Sequence, residues 1–135
     1  MSIVKDYVKD YVEDFSREVK GFIRRRNWKD AQQVSNQLSE TLSIYMDKDL
    51  EDSQYVLIED LLREFICYNN RGVVTEELFT YNLDMLFDVL NEAVFNPQSY
   101  LGLNFSPSLY YRSDIEIRKR IAGKFSESLK LPKRS

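Results

Sequence analysis

The chain has 135 residues, 43% of them hydrophobic and 30% charged, with a net charge of −3; that is the length of one domain and too short for two full cores. It holds four glycines, three prolines, one cysteine and no histidine. Those counts exclude a turn-rich β-sandwich, an intramolecular disulfide, Ser-His-Asp or Cys-His catalysis, and any zinc site built on histidine.

Apolar residues recur at three- and four-residue steps through Val4, Tyr7, Val8, Tyr11, Val12, Phe15, Val19, Phe22 and Ile23. This period predicts a first amphipathic helix from Ser2 to about Arg25. Arg24, Arg25 and Arg26 then place cations at the negative end of the helix dipole. Asn27 stands where it would cap a second helix, Trp28 to about Met46, with Trp28, Ala31, Val34, Leu38, Leu42 and Tyr45 on its apolar face. A short connection of this kind folds the second helix back against the first.

Asp47 to Asp52 is an acidic connection, with Asp52 or Ser53 as the cap of a third helix that carries Val56, Leu57, Leu61, Leu62, Phe65, Ile66 and Tyr68. Asn69-Asn70-Arg71-Gly72 stops it. Cys67 lies in an apolar run, and a buried, inert thiol is expected there. Thr75 is the next cap, with Glu76 and Glu77 suited to the first turn of a fourth helix that runs to about Phe95 on Leu78, Phe79, Leu83, Leu86, Phe87, Leu90 and Val94. Asn96-Pro97 breaks that pattern and opens a loop over about 96–112 with Tyr100, Phe105, Tyr110 and Tyr111. Ser113 and Glu116 have capping-box spacing and open a last helix with Ile117, Ile121, Phe125 and Leu129 on one face; Pro132 ends it. The fold class is therefore all-α over a single domain, 1–135: about four helices in a bundle, an aromatic and proline-containing loop, and a fifth, C-terminal helix, with residues from about 132 onward frayed.

Carboxylates at helical spacing, such as Asp10 with Asp14 and Asp84 with Asp88, lie on one helix face. Without a Glu-x-x-His partner they read as solvated faces, not as metal ligands or acid–base pairs. A Gly-rich phosphate loop, a Cys-x-x-Cys and a nucleophile elbow are all missing from the sequence. We therefore expect a non-enzymatic protein that takes neither cofactor nor metal. No stretch reaches the ~20 apolar residues of a membrane span, and Met1 to Asp10 lack the apolar run of a signal peptide. A cytoplasmic protein without membrane contact is expected.

Charge is distributed unevenly. Residues 47–95 carry 12 acidic and 3 basic side chains, a net −9, whereas residues 96–135 carry 3 acidic and 8 basic, a net +5. An acidic surface on the middle helices repels phosphate and steers a basic protein partner toward it. On charge alone the contact residues expected are Glu59, Asp60, Glu64, Glu76, Glu77, Asp84 and Asp88. The basic last helix, with Arg118, Lys119, Arg120, Lys124 and Lys130, is the one hint of nucleic-acid contact; the acidic balance of the whole chain disfavours it.

Leu83-Asp84-Met85-Leu86-Phe87-Asp88 on a late helix, the aromatic stretch around Ser99-Tyr100, Tyr110-Tyr111-Arg112-Ser113, and the helix opening Asp114-Ile115-Glu116-Ile117-Arg118 together cover roughly residues 80–125. This stretch resembles the small helical immunity proteins of the colicin-D type, which neutralise tRNA-cleaving bacterial toxins. The resemblance implies an antitoxin-like inhibitor that covers the basic cleft of a nuclease toxin. Two further expectations compete with it. One is an accessory protein of a phage or mobile element that binds a host or virion protein. The other is a helical oligomerisation or scaffold module with the Tyr7, Tyr11, Phe15 stripe as its subunit interface.

Overall fold

The structure is a computed structural model that describes residues 3–28, 30–102 and 114–132, and among them the fold is all-α. In chain order the helices are α1 (Ile3–Arg26), α2 (Ala31–Asp47), α3 (Asp52–Asn69), α4 (Glu76–Ala93), α5 (Pro97–Leu101) and α6 (Asp114–Ser128). They fall into two compact units, Met1–Glu59 and Asp60–Ser135, with the boundary inside α3. No helix among the described residues is long and apolar enough to cross a membrane.

In the first unit α1 and α2 pack side by side. Val8, Val12, Phe15, Val19, Phe22 and Ile23 of α1 and Leu38, Leu42, Tyr45 and Met46 of α2 are buried, as their three- and four-residue spacing predicts. Each such side chain contributes roughly 1.5–3 kcal/mol relative to exposure. The corner between the helices differs from the expectation. Asn27 does not cap α2; it takes a left-handed backbone (φ 52) and donates its N–H to the Arg24 carbonyl at 3.2 Å, ending α1. Asp30 occupies the cap position of α2, also left-handed (φ 59), with no side-chain capping bond. Asn and Asp are the residues other than glycine that tolerate this conformation. Downstream, the Tyr55 hydroxyl donates to the Lys48 carbonyl at 2.6 Å and folds the α2–α3 connection down.

Helix α3 begins on a reciprocal cap one residue earlier than expected. The Glu51 carbonyl accepts from the Gln54 and Tyr55 N–H groups, and the Gln54 side chain accepts from the Glu51 N–H at 2.8 Å.

The second unit is built on the C-terminal half of α3 with α4, α5 and α6. Thr75 caps α4 as expected, accepting from the Leu78 N–H at 3.2 Å. Phe65 meets Phe79 edge-on at 5.6 Å between ring centres. Ile117, Ile121, Phe125 and Leu129 are all buried, as the spacing of the last helix predicts.

Two further expectations are corrected. Residues Pro97–Leu101 are helical and not loop, because Pro97 supplies a fixed first-turn φ and Gly102 closes the turn in the left-handed region (φ 66). Cys67 is exposed, because it lies about half a turn from Ile58, Leu62 and Phe65, the buried side of α3. The Ser113 cap, Phe105, Tyr110, Tyr111 and residues 133–135 lie outside the described residues.

Candidate functional site

Helix α4 has two chemically distinct sides. Phe79, Asn82, Leu83, Leu86, Val89, Leu90 and Ala93 are buried. At 100° per residue, Glu76, Glu77, Asp84, Asp88 and Glu92 share an arc of about 160° on the other side, and all five are exposed. The helix contains no basic residue, and none of these five carboxylates makes an ion pair among the described residues. Glu76 and Glu77 favour the start of the helix, where the dipole is positive, but Asp88 and Glu92 crowd its negative end. Helix stability therefore explains only half of this charge.

Two cations lie at the margins of the face among the described residues. The Lys130 ammonium lies 4.1 Å from the Tyr81 ring centre. At the far end, Lys124 sits 4.3 Å from the Tyr100 ring centre and donates to the Tyr100 backbone carbonyl. Burial, reinforced by the negative charge of Glu92, pushes the Tyr100 hydroxyl up to about 12.

The carboxylates of α3 are placed differently. Glu59 is 6% exposed, so it adds nothing to an open acidic surface. Asp60, its side chain 18% exposed, pairs with Arg118 of α6 at 3.0 Å and with Arg63 at 3.6 Å. Glu64 accepts from the Ser126 hydroxyl of α6 at 2.7 Å. Of the seven residues expected from charge, Glu76, Glu77, Asp84 and Asp88 therefore share an open face, and Asp60 and Glu64 are engaged within the fold. Glu92 belongs to the face but was not among them; its i+4 spacing from Asp88 is the signal that would have found it.

The basic last helix is likewise partly used internally. Arg118 is half-buried on Asp60, and Arg120 pairs with Glu116 at 3.0 Å. The Tyr7, Tyr11, Phe15 stripe does not form one surface: Tyr7 is 58% exposed, Tyr11 is half-buried and Phe15 is buried in the core. No group of three or more His, Cys, Asp or Glu side chains among the described residues could hold a metal ion. Compared with family models, with curated proteins and with solved structures, the chain matches none.

Proposed function

We propose that this chain is a non-enzymatic binding protein that docks a basic protein through the solvent face of α4, and that its partner is a nuclease-type toxin which it neutralises. The observation that carries this reading is the cluster Glu76, Glu77, Asp84, Asp88 and Glu92 on one exposed side of a helix without a single cation. A nuclease cleft attracts phosphate, so it also attracts a rigid array of carboxylates, and such an array accelerates encounter and fixes register. A helix holds its charges in fixed relative positions, so less ordering entropy is lost on docking.

The test is co-expression with a nuclease-type protein encoded beside the gene. The natural chain should rescue growth, and Asp84→Lys with Asp88→Lys should abolish rescue while leaving the fold intact. Rescue that survives the double reversal would contradict the proposed surface. Failure of the natural chain to bind or rescue against any neighbouring nuclease would contradict the toxin assignment.

A further inference from the structure

The corner between α1 and α2 forms an open cleft of about 290 Å³, lined by Lys20, Ile23, Arg24, Asn27, Trp28, Ala31, Gln32 and Ser35. Its size lies near the small end of the range for organic-ligand sites. Its charge is the reverse of the α4 face. Residues 20–30 contain five cations, Lys20, Arg24, Arg25, Arg26 and Lys29, against one carboxylate, Asp30, and Asp30 is not part of the lining. Lys20 and Arg24 are one helical turn apart and both line the cleft. Arg25 lies elsewhere, its guanidinium 5.1 Å from the Phe22 ring centre.

Three donors supplement the cations. Ala31 and Gln32 are the first two residues of α2, whose first-turn N–H groups receive no side-chain cap from Asp30. An uncapped helix start is an anion site in the making. Ser35 is 5% exposed, lines the cleft, and has no side-chain hydrogen bond among the described residues. Its hydroxyl is not sealed off from solvent and is available to donate to a ligand oxygen in the cleft. Trp28 offers a large planar ring beside these donors.

We propose that this cleft binds a small phosphorylated ligand with a planar ring: the phosphate lies between Lys20, Arg24 and the start of α2, and the ring lies against Trp28. Phosphate suits the donor set because its oxygens accept from an ammonium, a guanidinium, backbone N–H groups and a hydroxyl at once. The ring accounts for the indole, which contributes area without charge.

The protein contains a single tryptophan, so emission from Trp28 reports occupancy of the cleft. Titration of the full chain with phenyl phosphate at low salt should change that emission saturably. Inorganic phosphate should bind about tenfold more weakly or worse, and phenol should give no saturable change. Lys20→Met and Arg24→Met should each weaken phenyl phosphate by about tenfold or more, whereas Lys9→Met, on α1 but outside the cleft, should not. Both replaced cations are exposed, so the variants should melt like the natural chain, which circular dichroism checks. The loss of affinity with added KCl provides a second reading of the same charges without any substitution. A non-saturating response, or equal affinity in the Lys20 and Arg24 variants, overturns the site. Equal affinity for inorganic phosphate and phenyl phosphate overturns the role given to the ring.

Discussion

The C-terminal half of α3 and the whole of α4 are both acidic, yet their carboxylates do different work. On α3, Asp60 and Glu64 reach α6 residues 58 and 62 positions away in the chain. On α4, Asp84 and Asp88 reach nothing among the described residues and stand in solvent. What separates the two is the neighbour each helix face meets: a carboxylate beside α6 becomes a tie, and one facing water stays available to a partner. Local charge alone does not tell which carboxylates stay open; the packing around them does.

The largest effect should come from the buried side of α4. Asn82 is fully buried; its amide donates to the Lys130 carbonyl at 3.0 Å and accepts from the Lys130 N–H at 2.9 Å. Asn82→Ala leaves both backbone groups without these partners and should cost about 2–3 kcal/mol in urea unfolding. Next comes the α3 tie. Asp60→Asn should cost about 1–2 kcal/mol, between the values for exposed and buried pairs, because both partners are partly screened. A double-mutant cycle with Arg118→Met should recover a comparable coupling energy. The matching change on α4, Asp84→Asn, should stay within about 0.5 kcal/mol of zero. Equal costs for Asp60→Asn and Asp84→Asn would erase the distinction between the two helices.

A pH effect at the end of α4 is smaller. The Tyr100 hydroxyl titrates near 12 in the folded chain, above its ordinary value of 10.0. The folded state therefore holds this proton more tightly than the unfolded one. The resulting stabilisation is complete below pH 10 and is lost as pH rises toward about 12. Tyr100→Phe should flatten that part of the stability curve while keeping the Lys124 contacts to the ring and the backbone carbonyl. Smallest of all, Glu92→Gln should stabilise the chain by about 0.3–1 kcal/mol or less in thermal melts, since it removes a negative charge from the negative end of α4.

The helices and much of their buried faces were legible in the sequence because they rest on local period and capping. Ile117, Ile121, Phe125 and Leu129 are buried at the expected spacing, and Thr75 caps α4. The site was legible only in part. The exposure of Asp84 and Asp88 follows from the same period that buries Leu83 and Leu86. The engagement of Asp60 and Glu64 does not, because it depends on partners supplied by α6 from a distant part of the chain. The α1–α2 corner departs from the expectation for a related reason. Asn27 suits both the end of one helix and the start of the next, and the left-handed turn at Asn27 and Asp30 decides between them.

The division of labour between α3 and α4 is tested most directly by titrating the ¹⁵N-labelled chain with an arginine-rich peptide at physiological salt, read by amide chemical shifts. Saturable shifts should centre on the exposed side of α4, from Glu76 to Glu92, and should vanish with Asp84→Lys and Asp88→Lys. Shifts spread evenly over residues 47–92, or centred on Asp60 and Glu64, would contradict it.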